Sequence, residues 1–211
     1  GYLFFPQALW MRCVGRLAFP IFAFFIAEGY VHTRDFGRYF RRLAILAVVS
    51  EIPFNLENGA VFDPARQNVL FTFCLALLTL RGLEALGRER SFGRWASCGL
   101  VLAAGFAAGE LLRTDYGGWG VVTVALLQLC RDEKYAKLWL LLAMAAVNGL
   151  GMGSLTMPVF GGEIPIQIFA VAALPVIWLY NGQAGPKGLR RAFYVFYPAH
   201  LLVLEGIRTL T

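Results

Sequence analysis

Eight apolar runs, each near the length a helix needs to cross lipid hydrocarbon, follow one another along this chain and leave it few ways to fold. Crossing about 30 Å takes ~20 apolar residues as a helix. The runs cover approximately 14–33, 40–57, 68–87, 94–113, 117–131, 137–155, 164–180 and 192–210. Short polar connections separate them, among them Arg88 to Arg94, Arg131 to Lys137 and Asn181 to Arg191. The fifth run is the shortest. No internal repeat, low-complexity linker or large extramembrane segment divides the chain, so residues 1–211 are expected to form a single transmembrane domain. The expected architecture is all-α, a polytopic membrane helix bundle of about eight spans. With 58% hydrophobic and only 15% charged residues, against roughly 25% charged in soluble domains, a soluble globule is excluded.

The net charge of +6 does not mark a nucleic-acid partner, because the Lys and Arg fall in short clusters between apolar runs. Of the 19 basic residues, 14 follow runs one, three, five and seven, including Arg34, Arg38, Arg41 and Arg42 after the first and Lys187, Arg190 and Arg191 after the seventh. Cytoplasmic loops hold such residues. The alternation supports all eight spans together and places Gly1 and the C-terminus outside, an awkward start for a bacterial-type inner-membrane protein. An outside start and an opening Gly1 lead us to expect a further span upstream. Cys13, Cys74, Cys98 and Cys130 lie singly in apolar stretches without metal-ligand or disulfide spacing, so they are expected to pack and no metal is expected.

Ionisable groups at membrane depth cost ~2.5–3.5 kcal/mol each on insertion scales, so each one present needs a reason. Glu28 and His32, four apart, share a helix face at the inner end of the first run. A carboxylate there can fix an imidazole tautomer for acid–base work, or the pair can be a salt-bridged helix end. His200 lies within the last run, one turn from Tyr197 and after Pro198, which can kink the helix beside it. It is either a catalytic base or a packed, hydrogen-bonded side chain. Near the outer side stand Arg16, Glu51, Asn68, Thr72, Glu110 and Asp115, which can bind a substrate or neutralise one another. The inner Arg cluster suits ligand phosphates or anionic lipid headgroups.

The stretch GRLAFPIFAFFIAEGYVHTRDFGRYFRRLAILAVVSEIPFNL, Gly15 to Leu56, resembles the signature region of the TraX family of integral membrane proteins. NVLFT at Asn68 to Thr72, DYGGWGV at Asp115 to Val121, YNG at Tyr180 to Gly182 and FYVFYPAHL at Phe193 to Leu201 resemble its later blocks, in order. The founding member is associated with N-terminal acetylation of conjugative pilin, and the family is similar to the wider transmembrane acyltransferases. The resemblance therefore implies an enzyme that moves acetyl from cytosolic acetyl-CoA to an amine or hydroxyl acceptor at the membrane. It implies donor-binding roles for Arg34, Arg38, Arg41, Arg42, Asn181, Lys187, Arg190 and Arg191. Arg16, Glu51, Asn68, Thr72, Glu110 and Asp115 become acceptor-side groups, and His32, His200, Glu28 and Tyr197 catalytic candidates. Family members usually carry a leading span ending in an Asp-His pair, and nothing here matches it. A ninth, missing N-terminal span is the expected explanation. The partners expected are the lipid bilayer and an acyl acceptor, which can be a peptide, a sugar or a small molecule. Two other classes stay open: a small transporter or flippase using the intramembrane Glu and His residues, and a non-enzymatic membrane assembly factor.

Overall fold

The computed structural model describes residues 9–57, 59–87, 91–131, 135–152, 155–159, 162–183 and 187–210. The helices are α1 (Leu9–Gly15), α2 (Ala18–His32), α3 (Phe36–Glu57), α4 (Val69–Ala85), α5 (Phe92–Leu111), α6 (Gly117–Leu129), α7 (Ala136–Ala146), α8 (Ala173–Trp178) and α9 (Lys187–Leu210). The architecture is the all-α bundle expected. Local chemistry sets several starts. Asp35 Oδ1 accepts from Arg38 N at 2.9 Å to open α3, Asn68 Oδ1 from Leu70 N at 3.0 Å to open α4, and Ser91 Oγ from Arg94 N at 3.2 Å to open α5. Each satisfies an N–H that has no partner within its helix.

The centre is built by α2, α4 and α6, with α8 against α2. Ala23, Leu77, Val121, Val124, Ala173 and Leu174 are fully buried there. Outside this centre α5 packs on α4 and α6, and α9 packs on α3. The outer helices show apolar side chains on their free faces: Trp95, Leu100 and Leu111 on α5, and Val195 and Val203 on α9. Exposed apolar surface of this extent calls for an apolar environment. Among the described residues one helical stretch, Arg12–His32, is both long and apolar enough to cross a membrane. The other runs fall short in length or carry charge; α6, for example, has 13 residues, about 20 Å at 1.5 Å per residue.

Three departures from the apolar-run reading have local causes. The first run breaks at Arg16 and Leu17, because Pro20 has no N–H for the Arg16 carbonyl and its ring clashes with a continued helix. It is accommodated in the first turn of α2 instead. The sixth run leaves α geometry at the π-helical segment Val147–Gly151, closed by Met152 N on Val147 O at 3.0 Å. Between the sixth and seventh runs stands an antiparallel hairpin, β1 (Thr156–Val159) and β2 (Gly162–Pro165), with Thr156 opposite Pro165 and Val159 opposite Gly162. The seventh run then opens as a 3-10 helix, Ile166–Ala172, before α8.

The tightest junction joins α5 to α6. A Cβ on Gly109 would lie 2.7 Å from the Gly117 carbonyl group and from Gly118 N. Gly109→Ala should therefore destabilise the purified protein by about 1–3 kcal/mol, the usual penalty of overpacking. Gly99→Ala, on the same helix with open space around it, should leave its thermal midpoint unchanged or raised. Equal midpoints for the two variants would contradict this packing.

Candidate functional site

The turn 112–116 between α5 and α6 is held from several sides. Thr114 N donates to Gly109 O at 3.2 Å, and Gln67 N from the preceding loop donates to Arg113 O at 3.0 Å. Arg113 takes a φ of 52°, a left-handed conformation uncommon outside glycine. Glu110 Oε1 accepts from Gly118 N at 2.8 Å, placing a carboxylate at the N-terminus of α6. Arg66 reaches across from the loop after α3 to ion-pair with Asp115. The Tyr116 ring stacks on Phe19 of α2 at 3.6 Å between centroids, and Phe19 stacks on Phe73 of α4 at 5.7 Å. Burial pushes the Tyr116 phenol up, with Asp115 adding to the rise, while the hydrogen-bonded Arg16 guanidinium opposes it. Tyr116 is thus a protonated hydrogen-bonding group at neutral pH rather than a base.

Over this turn lies a cavity of about 660 Å³, whose polar lining includes Arg16, Arg66, Glu110, Asp115, Tyr116 and Gln167. Trp119, Leu150, Met152, Leu155 and Ile166 supply an apolar wall. The wall is where the helices become irregular. Gln167 Nε2 donates to Asn148 Oδ1 at 3.1 Å, and Asn148 Nδ2 donates to Met144 O at 2.8 Å. Gly151 lies so close to Trp119 that a Cβ would be 2.7 Å from the indole. Non-helical backbone inside a membrane is tolerated where it is buried in protein or lines a wet cavity, and π-helical turns are frequent at functional sites.

Of the six acceptor-side residues, Arg16, Glu110 and Asp115 come together in this cavity. Glu51, Asn68 and Thr72 do not line it. Glu51 Oε2 accepts from Asn68 Nδ2 and from its backbone N, and Asn68 Nδ2 also donates to Ala47 O at 2.9 Å. That knot fastens α3 to the start of α4. Thr72 is fully buried, beside Gly120 and Tyr116.

The basic residues gather at the other end of the helices. Glu28 is buried on α2, ion-paired with Arg131 from the end of α6, and its Oε2 is 3.6 Å from His32 Nδ1. His32 Nδ1 lies 2.9 Å from Glu28 O. A carbonyl only accepts, so Nδ1 is the donor in this bond and the ring is held back against its own helix. Arg38 pairs with Asp35 at 3.3 Å and Arg42 Nε donates to Arg38 O at 3.3 Å. Arg41 lines a groove on the outer face of α3. Arg34 is exposed, as is Asn181, whose Oδ1 accepts from Gln183 N at 3.0 Å in a local turn. The side chains of Lys187, Arg190 and Arg191 lie outside the described residues. The two ends are far apart: α2 alone, from Ala18 to His32, is about 21 Å long at 1.5 Å per residue.

His200 belongs to neither end group. Its Nδ1 bonds to Phe196 O at 3.1 Å, its ring stacks on Phe196 at 5.1 Å, and Tyr197 meets it edge-on at 5.3 Å. Among the described residues no hydrogen bond, ion pair or ring contact joins His200 to His32 or Glu28, and neither the cavity nor the α3 groove includes it.

The TraX protein family matches residues 1–208. The chain belongs to the TraX family. It is also similar to the "Probable fimbrial assembly protein FimC, serogroup H1" of Dichelobacter nodosus, 31% identical over 96% of this chain and 86% of that protein. No solved structure matches the chain.

In this TraX chain, several lining residues escape a reading based on charge. Tyr116 and Trp119 stand inside the DYGGWGV block, yet being uncharged they carry no insertion cost of the kind that singles out Glu110. Asn148 and Gln167 are amides within apolar runs, and that was the available signal. Gln167→Leu should leave the buried Asn148 Oδ1 unpaired and cost about 1–3 kcal/mol, whereas Gln167→Leu with Asn148→Leu should recover part of that loss. Thermal unfolding of the two variants checks it; a strictly additive double mutant would contradict the pairing.

Proposed function

We propose that this TraX-family chain is a multi-pass bacterial inner-membrane acyltransferase, moving acetyl from cytosolic acetyl-CoA to an amine or hydroxyl acceptor. What carries the reading is the separation of two differently equipped ends. One has a roomy cavity lined by the Glu110 carboxylate and the Arg16 guanidinium, with no ion pair between them among the described residues. The opposite end has exposed guanidiniums and the His32 imidazole, hydrogen-bonded through Nδ1 to the Glu28 carbonyl. The name of the Dichelobacter relative extends the proposal to an acceptor used in fimbrial or pilus assembly.

The basic end fits a polyanionic donor, because Arg34 is exposed and has no carboxylate partner among the described residues. Arg34, Arg38 and Arg42 hold the donor's phosphates, with Asn181, Lys187, Arg190 and Arg191 at the same end. His32, at the far end of α2, cannot deprotonate an acceptor about 20 Å away. The His32 ring and the Glu28–Arg131 pair act on the donor side instead, at the end of the helix that precedes Arg34. The acceptor occupies the cavity. There Glu110, bound to one backbone N–H and to no cation among the described residues, takes the acceptor's proton as the acceptor nitrogen or oxygen attacks the acyl carbonyl; the tetrahedral adduct then collapses with cleavage of the thioester C–S bond, and the CoA sulfur leaves with that proton as the free thiol. Arg16 is positioned to stabilise the oxyanion that develops. Asp115 is neutralised by Arg66 and orients rather than reacts. A long pantetheine arm is what lets a thioester work so far from its phosphates.

Calorimetry with acetyl-CoA and release of radiolabelled acetate from it, both with purified protein, test the two ends separately. Glu110→Gln should slow release by about 10²–10⁴, the usual share of a general base, and leave acetyl-CoA affinity unchanged. Arg34→Ala with Arg38→Ala should weaken binding and leave the saturated rate nearly intact. Absence of acetyl-CoA binding would overturn the enzymatic reading. An active Glu110→Gln variant would remove the assigned base.

A further inference from the structure

The outer face of α3 carries a shallow groove of about 300 Å³ lined by Arg41, Ala44, Ile45, Val48 and Val49. These positions follow the spacing of one helix face. Ile45, Val48 and Val49 are 57%, 63% and 55% exposed, and Ile52 extends the stripe at 58%; the packing of α4 and α9 on α3 leaves all four uncovered. Their β-branched side chains are stiff, so the groove keeps its shape without a partner. Arg41 stands at its basic end. Its neighbours Arg38 and Arg42 are engaged with Asp35 and with the Arg38 carbonyl, whereas no carboxylate lies within ion-pair distance of Arg41 among the described residues. Phe36 and Phe40 stack at 5.9 Å one turn away.

Length decides what fits. From Arg41 to Ile52 is about 16 Å of helix, close to the ~15 Å of hydrocarbon in one leaflet. An apolar stripe alone accepts any acyl chain; an uncompensated guanidinium at its headgroup end adds a preference for net negative charge. We propose that this groove binds one anionic phospholipid, its phosphate on Arg41 and an acyl chain laid along Ala44, Ile45, Val48 and Val49 toward Ile52. The site rests on the chain spanning a membrane and is independent of acyl transfer.

Native mass spectrometry of the full chain, released from neutral detergent containing equal phosphatidylglycerol and phosphatidylcholine, tests it. Phosphatidylglycerol should be retained preferentially. Arg41→Ala should reduce that retention about fivefold, Arg41→Lys should keep most of it, and Ala44→Phe, which fills the groove, should lower it. Arg113→Ala at the other end should leave it unchanged, and millimolar inorganic phosphate should not displace the lipid. Unaltered retention in Arg41→Ala, equal retention of the two lipids, or displacement by phosphate would overturn the site. A chain recovered in the soluble fraction would overturn the membrane reading with it, while a membrane-embedded chain lacking the preference would overturn the lipid site alone.

Discussion

Where α5 meets α6, two backbones touch. With Gly109 against the Gly117 carbonyl group and Gly118 N, there is no room for a side chain between them, and the turn from 112 to 116 has to be made within a few residues. Much follows from that approach. Arg113 is held in a left-handed conformation, the Glu110 carboxylate lands on Gly118 N–H, and Tyr116 is driven against Phe19. The Tyr116, Phe19 and Phe73 rings then tie α6, α2 and α4 into one stack. Backbone strain of this sort costs of order 1–3 kcal/mol and persists where the surroundings over-determine it. Here the surroundings are the Gln67 strap, the Arg66–Asp115 pair and the glycine contact, and the residues so fixed are the ones that line the cavity.

A second economy governs the far wall of that cavity. Every backbone N–H in a chain this apolar needs a partner in protein or water, yet Val147–Gly151 and Ile166–Ala172 abandon the α-helical ladder in adjacent segments. The Asn148–Gln167 bond joins them. Irregular backbone and two amides are thereby gathered beside the polar cavity instead of facing an apolar exterior, which the outer helices meet with Trp95, Leu100 and Val203.

Apolar run length, as a guide to helix order, works here because it measures burial and exposure to hydrocarbon alike; it does not register backbone punctuation. Pro20 breaks the first run, Asn148 with Gly149 and Gly151 marks the π-helical turn, and Pro158, Gly162 and Pro165 belong to a hairpin in what run length reads only as the connection between the sixth and seventh runs and the first residues of the seventh. The same limit applies to the site. Arg16, Glu110 and Asp115 stand out by charge and meet in the cavity. Glu51 and Asn68 stand out equally but hold one another, a pairing across two helices that spacing along one chain does not reveal. Trp119 and Gln167 carry no charge and emerge only from the geometry. His200 stands apart from both ends, its Nδ1 bonded to a carbonyl one turn back and its ring lying on Phe196.

Transfer from a cytosolic donor to an acceptor in the cavity requires the cavity and the basic end to face opposite sides of a membrane. Cysteine labelling in intact cells tests this most directly, with Cys13, Cys74, Cys98 and Cys130 first replaced by Ser or Ala. One reporter is placed at Ala65, exposed in the loop beside the cavity, and another at Arg34, exposed after α2. A membrane-impermeant maleimide should label Ala65→Cys from outside and Arg34→Cys only after permeabilisation. Labelling of both from the same side would contradict the two-sided arrangement.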